Sequence, residues 1–129
     1  VEVDPIFVTS LLPVRRGIVT GIYARLSPAW SKLGDAAAEA KLSKAFNEAY
    51  SDYPLVRHGA GEKPALLSLK RVTGSARTQI SYVVKDGKLH LFSLIDNLVK
   101  GAAGQAVENL NRWLDLPASA GLLEREGLL

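Results

Sequence analysis

Asp86-Gly87 separates two strand-like runs, 78–84, rich in β-branched residues, and 88–95, rich in leucine. An Asp-Gly pair supplies the positive-φ positions of the tight turn whose twist matches paired strands, so the two runs are predicted to form an antiparallel hairpin. Leu89, Leu91 and Ile95 fall on one side of the second strand, and Phe92 and Leu94 on the other. A strand that is apolar on both sides is expected in the middle of a sheet. The rest of the chain must therefore provide neighbours and a covering layer.

Strands are predicted over 5–12 and 17–26, with a bend at Pro13 to Gly17, because proline cannot donate to a ladder and glycine permits a turn. Ser27-Pro28 reads as a helix start or tight turn. After Gly34, Asp35 is expected to cap a helix over 36–50, with Leu42, Ala45, Phe46, Ala49 and Tyr50 as its apolar face. Pro54 ends this region. Residues 55–57 read as a short extended piece, 58–64 as a loop, 66–72 as a strand and Gly74-Ser75 as a turn. Asp96 is expected to cap a second helix over 97–115, where Val99, Ala103, Ala106, Leu110 and Trp113 keep helical spacing. The sum is five or six strands and two helices. That predicts one α+β domain over 1–129, with a largely antiparallel or mixed sheet and helices on one face.

The 129 residues, 47% apolar and 22% charged, suffice for a single core. Sixteen Lys and Arg against 13 Asp and Glu leave a charge of only +3. Without an interleaved aromatic stripe, this surplus gives no reason to expect nucleic acid as a partner. No apolar run approaches the roughly 20 residues of a membrane span. The opening VEVDPIF lacks a basic segment before an apolar block, so neither a membrane anchor nor a signal peptide is expected. Cysteine is absent, which excludes disulfides, thiolate zinc sites and a cysteine nucleophile from this chain. His58 and His90 are too far apart for a ligand spacing, and no metal site is expected. P-loop, G-x-G-x-x-G and G-x-S-x-G patterns are missing, and no catalytic residue is assigned.

Two places invite a functional reading. Gly101 and Gly104 lie within a predicted helix, where each costs about 1 kcal/mol relative to alanine. Such a cost fits tight helix–sheet packing, or a ligand close to a helix start whose N–H groups are free. Arg15 and Arg16 precede Gly17 at the strand bend. They are either solvated surface charges or a fork for a phosphate or carboxylate.

The run SLIDNLVKGAAGQAVENLN at 93–111 resembles the C-terminal part of the N-acetyl-γ-glutamyl-phosphate reductase family. The related lysine-pathway N-acetyl-aminoadipyl-phosphate reductases carry a similar run. LLPVRRGI at 11–18, Ala49-Tyr50 with PLVR at 54–57, Leu116-Pro117 and Gly121-Leu122 fit the same family in the same order. The resemblance implies the α+β substrate and dimerisation domain with glyceraldehyde-3-phosphate-dehydrogenase-like C-terminal architecture, beside a separate nucleotide-binding domain. It implies a reductase of arginine biosynthesis in the cytoplasm, with an N-acetyl-glutamyl phosphate as substrate and NADP as cofactor. The cofactor would be held only together with the nucleotide-binding domain. The helix after Asp96 would face that domain, putting Asn97, Lys100, Gly101 and Gly104 on the cofactor side. Arg15 or Arg16 would hold a phosphate or carboxylate of the substrate, and the sheet face would make a homo-oligomer.

The chain also departs from the family. It has no cysteine, Ser10 stands where a histidine is usual, and Ser75-Ala76-Arg77-Thr78 replaces a Gly-Ser/Thr-Asn-aromatic turn. The family's thiol, catalytic histidine and Gly-rich nucleotide fold all lie upstream of the matching region. Alone, such a piece is expected to be inactive. The alternative is a non-catalytic, standalone or engineered, self-associating module on the same fold.

Overall fold

The computed structural model describes residues 6–10, 13–61 and 67–124. The hairpin forms as the turn chemistry dictates. β3 (Thr78–Lys85) and β4 (Lys88–Ile95) pair antiparallel around Asp86 and Gly87, both at positive φ, 50° and 66°. β1 (Ile18–Arg25) pairs antiparallel with the other edge of β4, and β2 (Val56–Ala60) pairs parallel with β3. The order β1-β4-β3-β2 makes a mixed sheet with β4 inside it, as the two apolar sides of that strand require.

Cross-strand partners share a face and successive residues alternate. On the inner face, Ile80, Tyr82 and Val84 meet α2 (Asp35–Tyr50). The Phe46 ring stacks on Tyr82 at 4.9 Å between centroids, His58 stacks on Phe46 at 5.6 Å, and the Tyr82 hydroxyl donates to Ser43 Oγ at 2.9 Å. Leu55, Leu94, Val72 and Tyr82 are among the largest fully buried side chains. The outer face carries Tyr23, His90 and Phe92, with the Tyr23 ring edge-on to the other two.

Several expectations are corrected. Residues 6–10 of the predicted 5–12 strand are not extended into a ladder, and Ile6, Phe7 and Val8 are exposed. Residues 5, 11 and 12 lie outside the described residues. A strand needs a pairing partner, and none reaches 6–10 among the described residues, so the sheet has four strands there rather than five or six. Residues 58–60, read as loop, belong to β2 because β3 offers them a parallel edge. Residues 62–64 of that loop are outside the description. The predicted strand 66–72 is instead a 3₁₀ turn, Leu69–Arg71 (Leu66 lies outside the description). There the Leu69 carbonyl accepts the N–H groups of Val72 and Thr73 and the Thr73 hydroxyl, a local arrangement that displaces ladder bonding.

Gly34, not Asp35, precedes α2, and the Asp35 carboxylate accepts the N–H groups of Asp86 (2.8 Å) and Gly87 (3.1 Å) in the hairpin turn. Ala38 rather than Ala45 and Ala49 is the buried alanine of α2. The predicted helix 97–115 divides into a π-helical turn, Val99–Ala103, and α3 (Gly104–Trp113). Its expected apolar face is turned outward. Leu110 and Trp113 are 48% and 80% exposed, while Glu108 and Asn111 are buried.

Candidate functional site

The two sequence motifs meet in one place. Gly17, at φ 112°, ends the Arg15-Arg16 turn just before β1, and its N–H donates to Asn97 Oδ1 at 2.6 Å. That positive φ demands glycine, while a Cβ there would meet only the movable end of the Leu69 side chain, a methyl at 2.7 Å. The Arg16 guanidinium reaches Asp96 Oδ2 at 2.7 Å. Asp96 is fully buried. Its Oδ2 also accepts from Gly74 N–H at 2.7 Å, and its Oδ1 accepts from Leu98 N–H (2.9 Å) and Val99 N–H (3.1 Å). The predicted cap is thus also the knot joining three chain segments: the Arg-Gly turn, the turn at Gly74 and the start of the π-helical turn. Burial pushes this carboxyl up, but Gly74, Arg16, Leu98 and Val99 together outweigh it and hold the group below the usual carboxylate range.

A cavity of about 270 Å³ opens beside this knot, and its lining includes Arg15, Arg16, Gly17, Val19, Leu69 and Asn97. Arg15 is exposed at it, whereas Arg16 is partly buried and its Nε–H has no acceptor. The structure therefore brings Arg15, Arg16 and Asn97 together.

Lys100 takes a different direction. Its Nζ lies 2.7 Å from Glu108 Oε2, and both side chains are largely buried. The other oxygen of Glu108 accepts from the Tyr53 hydroxyl and from Arg112, at 3.2 and 3.3 Å for the latter. Burial raises the Glu108 carboxyl, and Lys100, Tyr53 and Arg112 more than reverse this. The network binds the π-helical turn and α3 to the segment between α2 and β2. Sequence reasoning missed it. The Glu108–Arg112 spacing of four was legible as a helical pair. Tyr53 and the eight-residue separation of Lys100 from Glu108 were not.

The glycines differ. A Cβ at Gly104 would sit 2.8 Å from the Val99 carbonyl oxygen, a contact created by the wide π-helical turn. At Gly101 it would meet the Ile95 methyl at 3.4 Å, ordinary contact, and the residue is exposed. Among the described residues no cluster of three His, Cys, Asp or Glu is placed to hold a metal, and no helix is long and apolar enough to cross a membrane.

Known proteins are similar to this chain in sequence. The chain is 39% identical over 121 residues to an N-acetyl-gamma-glutamyl-phosphate reductase of Streptococcus sanguinis, covering 92% of this chain and 32% of that one. It is 43% identical over 118 residues to the reductase of the same name from Streptococcus thermophilus, covering 90% and 32%. An N-acetyl-gamma-glutamyl-phosphate reductase 2 of Lactiplantibacillus plantarum is 39% identical over 118 residues, with 90% and 32% covered. The chain thus spans about a third of the length of the curated relatives it matches. A family model for the dimerisation domain of semialdehyde dehydrogenases matches residues 1–97, which include all four strands and the Asp96-Asn97 turn. With three quarters of its length in that match and the α+β fold to go with it, the chain belongs to the semialdehyde dehydrogenase dimerisation-domain family.

Proposed function

We propose that this chain is the substrate and dimerisation part of an NADP-dependent N-acetyl-γ-glutamyl-phosphate reductase of cytoplasmic arginine biosynthesis, and that it is inactive alone. The observation that carries the reading is the junction of the Arg15-Arg16-Gly17 and Asp96-Asn97 turns, closed by the Arg16–Asp96 and Gly17–Asn97 contacts, in a chain this similar to named reductases. Arg15 and Arg16 stand on the substrate side of that junction, and Asn97, Lys100, Gly101 and Gly104 on the cofactor side. NADPH, when bound with the help of the nucleotide-binding domain, supplies the hydride. Asn97 fits a place beside it: its Oδ1 is held by Gly17, which leaves the amide N–H groups as donors. Gly101 contributes open backbone, Gly104 permits the turn, and Lys100 fastens it through Glu108. The nucleophilic thiol and the proton-transferring histidine come from outside these residues.

The exposed stripe of Leu110 and Trp113 on α3 suits packing against the nucleotide-binding domain. The outer sheet face around Tyr23, His90 and Phe92 suits a second copy. The same open face also fits the second reading, a non-catalytic self-associating module. The intact mass of the polypeptide as its source makes it separates the two. A mass more than twice 13.9 kDa, with an upstream cysteine, supports the reductase; a mass equal to it supports the module.

A further inference from the structure

We infer that Asp86-Gly87, at the tip of the β3–β4 hairpin, is a site of isoaspartate formation, and that Asp35 of α2 restrains the reaction. The chain has one Asp-Gly pair and no Asn-Gly pair. Glycine has no side chain to shield its amide nitrogen, so here the main chain is most open to reaction with the preceding carboxyl. The Gly87 nitrogen adds to Asp86 Cγ and an N–C bond forms. The amide proton and the hydroxyl of the carboxylic acid leave together as one water, and a five-membered succinimide remains. Water then reopens the ring at either carbonyl. One opening restores aspartate. The other leaves the main chain running through the side-chain carbon, as isoaspartate. No oxidant, metal or further co-reactant is needed.

The geometry of the turn supplies both the access and the restraint. Asp86 is exposed, and an open cavity of about 440 Å³, lined in part by Ser31, Asp86 and Gly87, admits water to the pair. The two successive N–H groups of the turn converge on the Asp35 carboxylate, Asp86 N–H on Oδ2 at 2.8 Å and Gly87 N–H on Oδ1 at 3.1 Å. The attacking nitrogen is therefore held by another element of the fold. It must leave Asp35 before it can turn to Asp86 Cγ, and the negative charge beside it opposes loss of its proton. The consequence of reaction falls on the whole sheet. The two positive-φ residues set the register in which Lys85 meets Lys88. Isoaspartate inserts one more main-chain carbon into that turn, between the two inner strands of the sheet. None of this depends on the reductase reading.

The test is prolonged incubation of the 129-residue chain at neutral pH, beside the synthetic peptide VVKDGKL (residues 83–89) as the unfolded reference. Isoaspartate is counted by methyl transfer from labelled S-adenosylmethionine with an isoaspartyl methyltransferase. It is located by fragmentation mass spectrometry of the 83–89 peptide released with chymotrypsin. A hydrogen bond to a charged group shifts a local equilibrium about ten- to a hundredfold, so the folded chain should react at least about tenfold more slowly than the peptide. Asp35→Ala should recover most of that difference, and Asp35→Asn, which keeps one accepting oxygen, should fall between. Ala38→Gly weakens the same helix to a comparable degree but leaves Asp35 in place, and should stay near the wild-type rate. If Asp35→Ala does not fold, Asp35→Asn takes its place against Ala38→Gly. Absence of isoaspartate at residue 86 from both the peptide and the Asp35 variant overturns the site. A wild-type rate equal to that of the peptide, or an equal rise in Ala38→Gly, overturns the restraint by Asp35.

Discussion

At the scale of single residues, the molecule is held by two buried carboxylates with opposite visibility in the sequence. Asp96 was legible as a helix cap because its type and place before an apolar period announce one. That it also receives Arg16 and Gly74 depends on chain segments 80 and 22 residues away. Asp96→Asn removes the charge that balances a partly buried guanidinium, and is expected to cost about 3–5 kcal/mol in urea unfolding. Both Asp96 and Glu108 have folded pKa values below their ordinary 3.8 and 4.5. Their contribution to stability is therefore full above those ordinary values and is lost as pH falls through the folded values, where the unfolded chain binds more protons. Urea unfolding at a series of acid pH values should show this decline, and Asp96→Asn and Glu108→Gln should each flatten it. The glycine pair shows the same limit on sequence reading. Both glycines looked costly, but only Gly104 faces a carbonyl, through a five-residue offset that ordinary helical spacing hides. Gly104→Ala is expected to destabilise by about 1–3 kcal/mol, and Gly101→Ala by less than about 0.5 kcal/mol.

At the scale of elements, local chemistry was readable wherever it was decisive. The Asp86-Gly87 turn demands positive φ twice, so the hairpin and its register follow from the sequence. The α2 residues Leu42, Phe46 and Tyr50 follow from helical spacing, with Phe46 and Tyr50 stacked together. Elements decided by what lies opposite them were not readable. Residues 58–60 became a strand because β3 offered an edge, and 69–71 became a 3₁₀ turn because Thr73 bonds back to Leu69. The outward face of α3 was apolar in pattern, but the pattern alone does not say which partner covers it. Asp35 joins two such elements by accepting both N–H groups of the hairpin turn. Asp35→Ala should cost about 1–2 kcal/mol by unbinding the turn from α2, and faster hydrogen exchange confined to Asp86 and Gly87 would locate the loss.

At the scale of the whole molecule, two apolar surfaces have no covering layer among the described residues. β1 is exposed on both faces, with Ile18 and Ile22 on one and Tyr23 on the other, and α3 turns Trp113 outward. If the outer sheet face joins two copies, Tyr23→Glu should shift the chain from dimer to monomer in sedimentation over a concentration series. Leu110→Glu, on the face assigned to the nucleotide-binding domain, should leave the dimer intact. The central claim, that these residues form the substrate side of a reductase, has a direct measurement. The corresponding third of the Streptococcus thermophilus relative is replaced by this chain, and reduction of N-acetyl-γ-glutamyl phosphate is followed with NADPH. The account predicts a folded dimer with activity within about tenfold of the parent. A folded, dimeric chimera without activity would contradict it.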